Sequence, residues 1–198
     1  MTRDEAKEII IKGYELYHSG EYEKAFPLLV RGADAGFIPA YVWVGDCYWN
    51  GVGIEADSTK AIQYYLSAVE MGNPDAMMRM GDVYLRCGDP QKAIDMYITA
   101  AEKGVVDALF YVGYIYYSGI GAAERDYATA ASYFEKFVDI AKDDANAIHL
   151  LGRCYVFMKP RDLAKAEALF EKAALLGNEN AVKDRDALRL GGSIIDCY

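Results

Sequence analysis

A glycine-centred pattern that returns along the chain constrains the fold more than any other feature. Its glycines are Gly13, Gly45, Gly81, Gly113 and Gly152. Around four of them the surroundings repeat: Tyr41-x-x-Val44-Gly45-x-x-Tyr48, Met77-x-x-Met80-Gly81-x-x-Tyr84, Leu109-x-x-Val112-Gly113-x-x-Tyr116 and Ile148-x-x-Leu151-Gly152-x-x-Tyr155. An alanine stands five residues before each of these, at Ala40, Ala76, Ala108 and Ala147. Spacings of three and four place the pattern on one face of a helix. A second pattern follows, as Ala61-x-x-x-Tyr65-x-x-Ala68-x-x-x-Gly72, Ala93-x-x-x-Tyr97-x-x-Ala100-x-x-x-Gly104 and Ala166-x-x-x-Phe170-x-x-Ala173-x-x-x-Gly177. The first copy, Ala25-x-x-x-Leu29-x-x-Gly32-x-x-x-Gly36, is a variant. Each reads as a second amphipathic helix closed by a glycine, the usual left-handed residue after a helix. Small residues let the two helices approach, and the aromatic fills the gap between neighbouring pairs.

One such pair cannot bury its apolar face alone, but a stack of pairs can. The expected fold is therefore all-α: an α/α solenoid, wound as a right-handed superhelix, of about five antiparallel helix pairs plus a C-terminal capping helix, without a sheet. It is expected to fill residues 1–190 as a single domain. Residues 191–198, Gly-Gly-Ser-Ile-Ile-Asp-Cys-Tyr, read as a flexible apolar tail with a tendency to dock on an apolar surface. Two local departures stand out. Pro27 falls inside a second helix and is expected to bend it, because proline lacks a backbone donor. Phe137 replaces the usual Ala or Gly and is expected to change the curvature locally.

Composition removes several function classes. With 21 basic against 30 acidic residues the formal charge is −9, and no Lys/Arg cluster appears, which disfavours nucleic acid and anionic membrane surfaces as partners. No apolar run approaches the roughly 20 residues of a membrane span. The start, Met-Thr-Arg-Asp-Glu-Ala-Lys-Glu, is charged where an export signal is apolar, so a cytoplasmic location is expected. Thr2 and Glu5 have capping-box spacing. Cys47, Cys87, Cys154 and Cys197 are widely separated, with only His18 and His149 to join them, so neither a closed metal site nor a disulfide within a repeat is expected. Asn50-Gly51-Val52-Gly53 and Ser118-Gly119-Ile120-Gly121 each follow a helix rather than a strand, which suits tight turns and not a phosphate loop. His18 reads as a capping side chain at the end of the first helix. No nucleophile–base arrangement emerges, no cofactor is expected, and the chain reads as a non-enzyme.

The two patterns resemble the tetratricopeptide superfamily and, more closely, its Sel-one-like repeat branch, whose helix pairs carry a longer glycine-containing turn. Units two and four are of that longer type, while units one and three are short. The resemblance implies a scaffold or adaptor that binds a peptide or protein segment along a concave groove lined by the first helices. It places three residues of each unit inward: three before the glycine, one after it and four after it. In the first two units these include Tyr14, Tyr17, Val42, Asp46 and Trp49. The middle unit contributes Met78, Asp82 and Leu85, and the last two contribute Phe110, Tyr114, Tyr117, His149 and Arg153. Trp49 and Tyr117 occupy equivalent positions and are the expected aromatic anchors. Asp46 and Asp82 would suit a partner with a basic residue. Trp43, turned about 100° from the inner stripe, reads as packing. Packing beneath the next unit is the competing role for the whole set. Two further alternatives stay open: self-assembly through the groove or the tail, and the β-lactam binding or hydrolysis associated with secreted relatives, which pair cysteines within each repeat as this chain does not.

Overall fold

The computed structural model describes residues 3–120, 125–192 and 194. Among them are eleven α-helices and no strand, an all-α repeat solenoid. In chain order they are α1 (Arg3–His18), α2 (Tyr22–Asp34), α3 (Ile38–Asn50), α4 (Ser58–Glu70), α5 (Pro74–Arg86) and α6 (Pro90–Glu102). There follow α7 (Asp107–Ser118), α8 (Tyr127–Ile140), α9 (Ala145–Phe157), α10 (Leu163–Leu175) and α11 (Glu179–Arg189). Odd-numbered helices up to α9 carry the glycine pattern, even-numbered ones the Ala–aromatic pattern with Leu29 in place of the aromatic in α2, and α11 is the cap. The chain divides into two compact units, Met1–Val83 and Tyr84–Tyr198, each with its own apolar core.

Close packing explains why glycine and an aromatic travel together in the sequence. A Cβ on Gly45 would lie 2.5 Å from the Tyr65 ring, one on Gly113 3.0 Å from Phe134, and one on Gly152 2.7 Å from Phe170. Each of these three glycines is thus the seat for the aromatic of its own second helix, while Gly13 seats Leu29. Those three aromatics are at most 1% exposed. Burying each relative to water is worth roughly 1.5–3 kcal/mol.

Helix starts are fixed by a recurring side-chain device. Asp57, Asp89 and Asp162 each accept a hydrogen bond from the backbone N–H three residues on, that of Lys60, Lys92 and Lys165. The same lysines place their ammonium groups 5.3, 5.5 and 4.2 Å from the ring centres of Tyr48, Tyr84 and Tyr155. An Asp-x-x-Lys step therefore caps one helix and covers the tyrosine of the preceding one. In the long turn after α3, Gly51 and Gly53 both take positive φ, and a Cβ on Gly53 would strike the Tyr22 carbonyl. Helix α2 continues through Pro27. Phe137 is buried with its ring centre 5.5 Å from that of Phe110. Thr2 and Gly121 lie outside the described residues.

The last unit closes with charge. On α11, Ala181 is buried in the register of the repeat alanines, but five residues later the chain has Asp186 where a repeat would have glycine. No further aromatic can seat there. Instead Arg189 pairs with Glu167 at 2.6 Å and with Glu171 at 2.9 Å, and Arg185 with Glu171 at 3.3 Å. Beyond the helix, Ile194 is half-buried against the apolar core of the second unit. Residues 193 and 195–198 of the expected docking tail lie outside the described residues.

Cys47 and Cys154 are fully buried, Cys87 is exposed, and all three are free thiols. Burial, with Asp46 adding, pushes the Cys47 thiol up to about 12, and burial pushes Cys154 up as well. Native protein treated with a thiol reagent at mildly alkaline pH is expected to react at Cys87, with Cys47 and Cys154 labelled only on unfolding. Peptide mapping by mass spectrometry checks this, and native labelling of Cys47 would contradict it.

Candidate functional site

In the first unit the inner stripe runs over α1, α3 and the start of α5. Tyr14 is 45% exposed, while Tyr17, Trp49, Met78 and Asp82 are half-buried. Val42 and Asp46 are buried and offer a ligand almost no surface. The Asp46 carboxylate is already engaged. Tyr65 Oη donates to its Oδ1 at 2.8 Å, and Arg79 grips it with Nε 2.9 Å from Oδ1 and Nη2 3.0 Å from Oδ2. Burial opposes the Arg79 charge, and the Asp46 carboxylate more than offsets it, raising the guanidinium pKa. Burial first, and then Asp46, also raise the Tyr17 and Tyr65 phenols well above their usual range. The expectation that Asp46 attracts a basic partner is corrected here: a guanidinium of the chain itself neutralises it.

In the second unit Leu85, Phe110 and Tyr114 are half-buried, and the Phe110 and Tyr114 rings stack at 6.2 Å. Tyr117 is 1% exposed, packed edge-on against Tyr127 at 5.7 Å and Phe134 at 6.4 Å. It is a core residue and not an open anchor, because the ring of Tyr127 at the start of α8 covers it. At the register equivalent to Tyr127, α4 begins with Ser58, so Trp49 is left half-exposed. His149 and Arg153 are likewise buried, and the surface position expected for them is corrected. His149 Nε2 lies 2.8 Å from Asp184 Oδ2, and Arg153 Nη1 lies 3.8 Å from the same oxygen. The capping helix α11 sits over this pair.

At three seams these contacts share a register that sequence reading missed. There the residue one after a repeat glycine meets the residue two before the glycine register of the next first helix. Tyr14 meets Trp43 with ring centres 5.1 Å apart, Asp46 meets Arg79, and Arg153 meets Asp184. Trp43 is therefore a seam residue and half-exposed, not fully internal packing. His18 joins it. Its Nδ1 lies 2.9 Å from the Tyr14 carbonyl oxygen, the capping role expected of it, and its ring centre lies 4.0 Å from that of Tyr14.

A polar cluster on the second unit has the look of a proton-transfer site but not the electrostatics. Lys165 Nζ donates to Glu135 Oε1 at 2.7 Å and to Tyr155 Oη at 2.5 Å, and Tyr155 Oη donates to the same Glu135 oxygen at 2.5 Å. Hydrogen bonds to Glu135 and Tyr155 push the Lys165 pKa up, so this lysine is a fixed cation and a poor base or nucleophile. No helix among the described residues is long and apolar enough to cross a membrane.

Three segments, residues 38–73, 106–139 and 145–178, match the Sel1 repeat, and residues 76–105 match a tetratricopeptide repeat. The structure is similar to that of a Sel1 repeat protein from Oxalobacter formigenes, with a TM-score of 0.72 and 31% identity, over 93% of this chain and 79% of that one. It is also similar to a protective antigen of uropathogenic Escherichia coli strains that displays the same type of fold, with a TM-score of 0.75 and 26% identity, over 94% of this chain and 42% of that one. Within 68 residues the chain is 35% identical to HRD3A of Arabidopsis thaliana, a component of an ERAD-associated E3 ubiquitin-protein ligase. That match takes in 34% of this chain and spans a tenth of the plant protein's length. The Sel1 segments alone account for just over half of the residues, and the chain belongs to the Sel1 repeat family.

Proposed function

We propose that this chain is a non-enzymatic protein-interaction scaffold that holds a segment of a partner protein against the inner face of its first unit. Sel1 and tetratricopeptide repeat proteins are in general scaffolds of this kind. The observation that carries the finer reading is the uneven covering of equivalent positions. Trp49 and Met78 on the first unit both stay partly exposed, whereas Tyr117, His149 and Arg153 are closed over by Tyr127 and α11. A partly exposed indole and an adaptable methionine among the inward positions are side chains of the kind that anchor a binding hot spot.

A photo-crosslinker placed at Met78 is expected to capture a partner from native lysate that the same group at exposed Leu66 does not. Trp49→Ala is expected to weaken that partner by about 2 kcal/mol, roughly thirty-fold. It should cost less than that in unfolding free energy, because Trp49 is not fully buried. Equal capture at both positions, or a Trp49→Ala protein that is unfolded, would overturn this reading. Self-association is favoured by a separate observation, Leu175 and Leu190 at 81% and 86% exposure on the last unit. A mass that rises with concentration in sedimentation would support that second role.

A further inference from the structure

We infer that Tyr14, His18 and Trp43 form a subsite for the cationic side chain, lysine or arginine, of a peptide bound to the first unit. Tyr14 and His18 stand one turn apart on α1, and Trp43 reaches them from α3. The His18 ring is near perpendicular to the indole, at 87° and 6.4 Å between centres, while Tyr14 lies 5.1 Å from the indole at 53°. The three rings make an aromatic corner of which Tyr14 is 45% exposed, His18 is exposed and Trp43 half-buried.

Three observations point to a cation as the occupant. First, this chain supplies its own cations to ring faces elsewhere. Lys60 lies over Tyr48, Lys92 over Tyr84, Lys136 over Tyr133, Lys165 over Tyr155 and Arg153 over Phe157. Among the described residues no lysine or arginine lies over Tyr14 or Trp43, although indole is the strongest cation acceptor of the aromatic side chains. Second, the register that Trp43 holds at this seam is held by Arg79 at the next, where Asp46 consumes its charge. Among the described residues the first seam is made of rings, with no ion pair to either Tyr14 or Trp43. Third, residues 1–83 contain seven basic and thirteen acidic side chains, so the field around the corner draws cations toward it. The inference rests on the scaffold reading above and moves the basic-residue preference from the neutralised Asp46 to this corner.

The two tryptophans give two indole N–H signals in a proton–nitrogen correlation spectrum. A capped Ala-Arg-Ala tripeptide at millimolar concentration is expected to move the Trp43 signal and leave Trp49 in place. The citrulline analogue, isosteric and neutral, should bind about five-fold more weakly, and Tyr14→Leu should weaken the arginine peptide to a similar extent. Tyr14 is exposed enough for that change to leave the fold intact. Equal response to arginine and citrulline, or movement of Trp49 alone, would overturn the subsite. If the partner captured at Met78 is lost with Trp49→Ala yet is indifferent to Tyr14→Leu, the scaffold reading stands and the subsite fails. If the tripeptide moves Trp43 but Met78 captures nothing, the subsite stands and the wider groove reading fails.

Discussion

Tyr117→Ala is expected to destabilise the protein by about 3–5 kcal/mol, the cost of emptying a large aromatic site in a core that relaxes only in part. The ring is 1% exposed and is held between Tyr114, Tyr127 and Phe134. Its removal leaves a void that Tyr127 cannot fill without abandoning Phe157, whose ring centre lies 5.4 Å away. Denaturant unfolding measures the loss directly. A change below about 1 kcal/mol would mean that Tyr117 is a surface residue after all. Set beside Trp49→Ala, the experiment separates two side chains with the same repeat register and opposite surroundings.

The second large effect is expected at a glycine. Gly152→Val should cost about 3 kcal/mol or more, because its Cβ alone would stand 2.7 Å from the Phe170 ring and two methyl groups must follow. The roughly 1 kcal/mol that a glycine gives up to better helix formers is too small to compensate. Phe170→Ala by itself should also cost about 3–5 kcal/mol. Combining the two should cost clearly less than their sum, since the valine then occupies part of the space the ring has left. Strict additivity of the two changes would show that the glycine is retained for some reason other than seating the aromatic.

Helices and pairing were legible because both are local. The three-and-four spacing, the small residues and the closing glycines all act within a few turns, and the glycine–aromatic partnership has its physical cause within one helix pair. The surface was legible only in part. Inward-pointing positions follow from helix geometry, but whether such a position stays open depends on a neighbour one unit away. Asp46 is neutralised by Arg79, 33 residues on, and His149 is covered through Asp184, 35 residues on. Tyr117 is closed by the residue after an N-cap aspartate, which is Tyr127 in one long-turn unit and Ser58 in the other. That difference is visible in the sequence, and it acquires meaning only once the second helix is known to start there. His18 was readable because a capping side chain bonds to its own helix end.

The matched seams carry a consequence for ancestry and engineering. Repeat arrays are commonly imagined as beads that can be copied or exchanged at will, yet these joints are keyed. Duplicating the unit of α3 and α4 would set Asp46 of one copy against Trp43 of the next and strand a buried carboxylate without its guanidinium. Such a stranded charge is among the costliest local faults a protein can hold. The order of the units is thereby inherited as a single word, and a longer array built from them must bring its own matching joint with every insertion.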